Sequence, residues 1–269
     1  MAPVLGEPRD IRWTPFFALF RREISRFMKV IIQTVITPFV SSALYLMIFG
    51  VSLGKSIVLK DQLPYLSFLI PGLVMMSCLN NSFQNTSSSI VTSKFSGDLE
   101  DLKVAPFSHS QIVLALSLAA VIRGLLVGGV TFLVGEASYY FMYSTALEVH
   151  HPVLLCLFLL LGCLSFANFG IMVAFWARTF DQLSAVSGFV LLPLIYLGGV
   201  FFSVENLPPL WKAVSLVNPL LYMINGVRFS ILGTSDVQPE IAIAVSVVAF
   251  LLTQVLAVRA LKKGSFQRW

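Results

Sequence analysis

Long apolar runs separated by short polar segments dominate this chain. Crossing about 30 Å of hydrocarbon takes roughly 20 helical residues at about 1.5 Å each. Six runs reach that length, at residues 30–53, 65–90, 111–135, 152–176, 183–202 and 239–260. They are continuous, without the ten-residue alternation of an outer-membrane barrel strand. The pattern therefore predicts an all-α polytopic membrane protein with six transmembrane helices in a single domain over residues 1–269. The second run fades into Asn80, Asn81, Gln84, Asn85, Thr86 and Ser87–Ser89 after Leu79. Either that half of the helix protrudes beyond the bilayer, or it lines a polar pathway; the two are compatible.

Three segments follow another rhythm. Over residues 13–29, Trp13, Phe16, Phe17, Phe20, Ile24, Phe27 and Met28 fall within one arc of about 120°, while Arg21, Arg22, Ser25, Arg26 and Lys29 take the other side. Such a helix suits the headgroup layer, with aromatics sunk and cations toward anionic lipid. It serves as a membrane anchor, or it also touches a cytoplasmic partner. Around residues 94–106, Phe95, Leu99 and Leu102 share a face beside the acids Asp98, Glu100 and Asp101, and Pro106 stops the helix. That stretch is a solvated loop or a short docking helix. Residues 203–238 are too apolar for a free loop and too broken for a span. Pro208-Pro209 opens one short helix over 210–217, and Asn218-Pro219 places an N-cap and a first-turn proline before a second over 220–232. Both are expected on the outer side, dipping into the bilayer or capping it.

Composition sharpens the picture. Hydrophobic residues make up 57% of the 269 and charged residues only 12%, about half the share usual in soluble chains. With both termini inside, the inner segments hold Arg9, Arg12, Arg21, Arg22, Arg26, Lys29, Lys94, Lys103, Arg178, Arg259, Lys262, Lys263 and Arg268, thirteen of the 18 cations. Only Lys55, Lys60, Lys212 and Arg228 fall outside, and Arg123 lies within a span. The net charge of +5 is thus a topology signal, and no base-reading or stacking surface points to nucleic acid. Residues 1–12 carry Glu7, Asp10 and two prolines without an apolar core, so no cleaved signal is expected. Cys78, Cys156 and Cys163 fall inside spans and read as packing residues, with neither a disulfide framework nor a metal site.

Resident chemistry is sparse. The three histidines, His109, His150 and His151, sit near span ends, and no span has a carboxylate near its centre. That disfavours membrane hydrolysis and ion-coupled transport, which usually need such groups. The stretch Phe49–Ser56 ends like a phosphate-binding loop, but its first position is Phe49 instead of glycine and no strand precedes it. Arg123 either snorkels to headgroups or pairs within the bundle, beside the close-packing pair Gly124 and Gly128. Polar positions gather in spans one, two and five. The candidate pathway residues are Gln33, Thr37, Ser41, Met75, Asn80, Asn81, Asn85, Ser187 and Tyr196.

One family unites these features. The most specific stretch is Leu192-Pro-Leu-Ile-Tyr-Leu-Gly-Gly-Val-Phe-Phe-Ser203, followed by Leu207-Pro-Pro-Leu-Trp211 and Asn218-Pro-Leu-Leu-Tyr222 through Arg228. Together with Phe68-Leu-Ile-Pro-Gly-Leu73 and the segment from Glu100 to Pro106, it resembles the type-2 ATP-binding-cassette permeases over nearly the whole chain. The likeness is closest to small bacterial inner-membrane exporter permeases paired with a separate ATPase. The usual proline after the aromatic pair is Ser203 here.

The resemblance implies a connecting helix over 12–29, with Phe20, Arg21, Arg22 and Arg26. It implies a coupling helix over 96–104, with Asp98, Leu99, Glu100, Asp101, Leu102 and Lys103 meeting the ATPase. Re-entrant helices over 207–232 would carry Trp211, Asn218, Pro219, Tyr222 and Arg228. Two permease chains would work with two ATPase chains, which bind the ATP and magnesium; no cofactor is expected on this chain. An amphiphilic or lipid-like substrate would move outward. The competing readings are a non-transporting membrane scaffold and an ion-coupled secondary transporter.

Overall fold

A computed structural model describes residues 13–53, 64–99 and 108–264, without the side chains of 51–53. Among these residues all regular structure is helical. In chain order the helices are α1 (Thr14–Met28), α2 (Ile31–Gly50), α3 (Tyr65–Ser96), α4 (His109–Tyr143), α5 (Pro152–Trp176), α6 (Phe180–Leu197), α7 (Pro209–Val217), α8 (Pro219–Leu232) and α9 (Pro239–Lys263). Six of them, α2 to α6 and α9, are long and apolar enough to cross a membrane. The segments 54–63 and 100–107 lie outside the described residues, and with them Glu100, Asp101, Leu102 and Lys103.

Local chemistry sets the helix ends. Ser108 and Gln111 form a reciprocal capping box at the start of α4: the Ser108 hydroxyl accepts from the Gln111 amide at 3.2 Å, and Gln111 Oε1 accepts from the Ser108 amide at 2.9 Å. Asn218 caps α8 through Leu220 N at 3.1 Å, with Pro219 in the first turn. The α4 helix runs eight residues past the apolar run that ends at Gly135, because Glu136–Tyr143 continue the helix in polar and aromatic residues.

Helix α3 is the central post, buried along most of its length between α4 and α5. Lipid supplies little hydrophobic drive between helices, so close approach must come from small residues. Gly124, Gly128 and Gly135 of α4 face Cys78, Ser82 and Ile70 of α3, while Gly162 and Gly170 of α5 face Met75 and Phe83. Polar links tie the bundle as well, among them Thr86 Oγ1 to the Ala167 carbonyl at 2.8 Å, Ser117 to Asn168 at 2.9 Å, and Asn168 to Gln254 at 2.9 Å.

At one face of the bundle α1 packs on α4 and reaches α3 through Arg22 and Arg26. There Lys94 Nζ donates to the carbonyls of Ala174 at 2.7 Å, Phe175 at 3.3 Å and Ala177 at 3.4 Å, a cation on the carboxyl end of α5. At the opposite face α7 and α8 form the cap. His150 Nδ1 meets the Ile231 carbonyl at 2.8 Å and His151 stacks on Phe229, so both histidines join α5 to α8.

Helices α2, α6 and α9 leave most of their surface uncovered. Two of these are also irregular. Helix α2 carries Pro38 and turns π-helical at Leu46, a stretch that continues past it to Leu53, and α6 is π-helical over Ser187–Leu191 just before Pro193. Such bulges interrupt the regular bond ladder and cluster at functional sites.

Candidate functional site

Between α2, α3 and α6 runs a groove of about 950 Å³. From α2 it is lined by Gln33, Thr34, Thr37, Ser41 and Ser42, and from α3 by Ser77, Asn80, Asn81, Gln84, Ser87 and Ser88. Helix α6 contributes Ser184, Ser187 and Gly188, and Leu73, Met76, Leu183 and Leu192 supply apolar patches. The groove therefore offers neutral hydrogen-bonding groups beside apolar surface, which suits an amphiphile. Spans one, two and five, singled out in the sequence by their polar positions, wall most of it, and Arg26 of α1 and Arg123 of α4 add to the lining.

Three of the candidate pathway residues stand elsewhere. Met75 is buried, filling the space over Gly162 of α5. Asn85 is buried behind the wall, held by arginines from two other helices. Tyr196 lies beyond the groove, edge-on to Phe201. Hydropathy identifies a helix as polar without saying which neighbour covers each side: Met75 and Asn85 face neighbouring helices, and Tyr196 is exposed away from the groove. Much of the polar half of α3 is covered by protein, with Ser82, Asn85, Thr86, Ser87, Ser89 and Ser93 buried, while Asn80, Asn81 and Gln84 face the groove.

The floor of the groove near α1 holds two cations. Arg26 Nη2 donates to the Asn85 carbonyl at 2.7 Å and to its Oδ1 at 3.1 Å, Nη1 donates to Ser88 at 3.3 Å, and Nε pairs with the buried Glu23 at 3.2 Å. Arg123 of α4 reaches the same Asn85 Oδ1 at 3.4 Å, while its Nε is buried without a partner. Two guanidinium nitrogens on one oxygen lie at most 6.5 Å apart. At an effective dielectric near 20, unit charges at that spacing repel by about 2.5 kcal/mol. Arg123 turns into the bundle toward the neutral Asn85 amide instead of snorkelling.

Helix α1 packs one side on the bundle and leaves the other open. Phe16, Leu19, Glu23 and Phe27 are buried, while Trp13, Phe17 and Met28 are about half exposed. Two of its cations reach α3 and the residues after it: Arg22 meets Ser93 at 3.3 Å and Asp98 at 3.4 Å, and Arg26 meets Asn85 and Ser88. Arg21 stays exposed, and Phe20 is half-buried, stacked on Phe16. A helical wheel shows that cations share a side and is silent about what that side meets. Of the acidic segment, Leu99 is buried, and Asp98 is half exposed in its pairing with Arg22.

At the opposite face, two motifs quoted from the sequence sit on each other. Gly72 packs so closely on Val200 that a Cβ there would lie 2.8 Å from the Val200 carbonyl oxygen. Arg228 is buried with its guanidinium 3.6 Å over the Phe68 ring, donating to the Gly199 carbonyl at 2.8 Å and to Asn225 at 3.2 Å. Gly199 has φ +81°, a conformation that favours glycine. Tyr65 ties the same loop through the Phe201 carbonyl at 2.6 Å. Asn218 also donates to the Leu194 carbonyl at 2.6 Å, Tyr222 donates to Leu216 at 2.9 Å, and Trp211 is half exposed. Of the cysteines, Cys78 and Cys163 are buried, whereas Cys156 is exposed on α5 and does not pack in the core. No group of three potential metal ligands occurs among the described residues.

Six helices long and apolar enough to cross a membrane, three of them walling a polar groove, define a polytopic membrane protein. The ABC-2 type transporter model matches residues 14–232, well over half of the chain. The chain is 36% identical over 252 residues to the inner membrane transport permease YadH of Escherichia coli (strain K12), covering 94% of this chain and 96% of that one. It is 25% identical over 252 residues to nodulation protein J of Rhizobium meliloti (strain 1021), covering 91% and 94%. Nodulation protein J of Rhizobium leguminosarum bv. viciae is 23% identical over 220 residues, covering 81% and 82%. The chain belongs to the ABC-2 type transporter family, as a transmembrane permease subunit of an ATP-binding-cassette transporter.

Proposed function

We propose that this chain is the membrane half of an exporter in the bacterial inner membrane, driven by ATP that a separate subunit hydrolyses. The observation that carries the reading is the groove, polar and apolar by turns, between α3 and the two sparsely covered helices α2 and α6. An amphiphilic or lipid-like substrate fits those walls and moves outward along them. A second copy of the chain packs over α2 and α6, and two ATPase subunits complete the assembly. The α1 face is cytoplasmic: Arg21, Arg22, Arg26, Lys29, Lys94, Arg178, Arg259, Lys262 and Lys263 gather at that end of the bundle, against Lys212 and Arg228 at the other.

Coupling runs through residues 96–104, with α1 as the connecting helix. Arg22 and Arg26 link α1 to α3 beside this segment, so a push on Asp98 reaches the floor of the groove. The test is a mild-detergent pull-down of the ATPase with the wild-type chain and with Glu100→Lys, followed by ATPase assays in liposomes. Charge reversal is expected to lower both association and stimulation. Undiminished values for both would sink the coupling role, and absence of any stoichiometric ATPase would favour a scaffold.

A further inference from the structure

We propose that the groove is an anion site, and that the amphiphile it takes carries one phosphate, sulfate or carboxylate group, bound at Arg123 and Arg26. This rests on the groove being the substrate's path. Both arginines line it, and no carboxylate does so among the described residues. Their charges do not cancel internally. Glu23, buried beneath the floor, pairs with Arg26 at 3.2 Å and offsets one of the two. Arg123 shares the neutral Asn85 oxygen with Arg26 at 3.4 Å, and its buried Nε has no partner. Asn85 cannot satisfy this arrangement: its single Oδ1 serves two cations, and its own Nδ2 is buried and unpartnered.

A cation that lies within a membrane-spanning helix and has no counter-charge is by default a candidate functional site. A groove with one sign of charge and low-dielectric walls concentrates the opposite ion. Guanidinium forks match phosphate, sulfate and carboxylate oxygens, with charge-assisted bonds about twice as strong as neutral ones. The apolar part of the ligand then lies along Leu73, Met76, Leu183 and Leu192, while Gln84 and Ser88 flank the headgroup. A neutral amphiphile would leave Arg123 uncompensated, so the groove discriminates by charge.

The test measures binding of radiolabelled dodecyl phosphate to the full chain in phosphatidylcholine nanodiscs, with no ATPase or nucleotide present. Saturable binding is expected, weakening as salt rises. It is expected to be competed by dodecyl sulfate and not by dodecyl maltoside or inorganic phosphate. Arg123→Gln should weaken binding about tenfold or more, and Arg123→Lys should restore part of it.

Asn85→Asp guards against a merely misfolded variant. It sets a carboxylate between the two guanidiniums, so it should unfold at or above the wild-type temperature and still lose the ligand. Repeating the assay in phosphatidylglycerol discs separates the sources of the anion. Suppressed binding there identifies a bilayer lipid headgroup, and retained binding a tailed anion other than bulk lipid; either outcome supports the site. Equal binding by wild type, Arg123→Gln and Asn85→Asp would overturn the proposal. So would equal uptake of dodecyl maltoside, or full competition by inorganic phosphate. The ATPase pull-down is independent of these results, so either reading can fail without the other.

Discussion

Arg228 keeps its charge at 2% exposure through three supports: the Gly199 carbonyl, the Asn225 amide oxygen and the face of Phe68. A desolvated cation over an aromatic face is worth about 2 kcal/mol, and hydrogen bonds to a charged group about 1.5–3 each. Arg228→Ala should therefore lower stability in detergent by roughly 2–4 kcal/mol after partial relaxation. Arg228→Lys keeps the charge without the planar fork, so its thermal midpoint should fall between the two. Equal midpoints for wild type and Arg228→Ala would show that the clamp carries no net stability. The residue itself was visible in the sequence as part of a motif, though not its partners. Phe68 and Gly199 are far apart along the chain, and nothing periodic links them. Arg123 was likewise visible as an intramembrane cation, while its inward turn depends on Asn85 of another helix.

Helices were the most legible level. A span must be apolar for about 20 residues to live in lipid, so composition alone locates α2, α5 and α9 closely. It misses continuations that need no lipid, such as the last turns of α4 and the final residues of α3 beyond Ile90, because these are helical for other reasons. How closely the helices approach depends on their glycines, and position decides the outcome. A Cβ on Gly170 would lie 2.6 Å from the Phe83 carbonyl oxygen of α3, a backbone atom that cannot turn aside. Gly170→Ala should push α5 from α3 and cost about 1–3 kcal/mol. Gly129 on α4 meets nothing within 4 Å. There alanine should stabilise by about 0.5–1 kcal/mol through helix propensity. The pair predicts opposite shifts in thermal midpoint from one substitution chemistry. Shifts of the same sign would remove close packing as the explanation.

The whole molecule pairs a well-packed post, α3 with α4 and α5, with two loosely held helices that wall the groove. Helix α2 exposes Ile32, Ile36, Phe39 and Val40, and α6 exposes Phe189 and Val190, while α9 on another side exposes Val248, Leu251 and Leu252. Lipid could cover any of these faces equally well, because apolar surface has no preference between lipid tails and leucine. The polar groove beside α2 and α6 breaks that equivalence: hydroxyl and amide groups facing hydrocarbon are costly unless protein or water meets them. A second copy is therefore expected over α2 and α6 and not over α9. Single cysteines at Ile36, Phe189 or Val248, placed in a chain freed of Cys78, Cys156 and Cys163, turn this into a measurement. Mild oxidation in native membranes should yield dimers from the Ile36 and Phe189 variants and little from Val248. Dimers from Val248 alone would move the seam to α9 and leave the groove facing lipid. The substrate would then have to enter sideways from the bilayer, not between two chains.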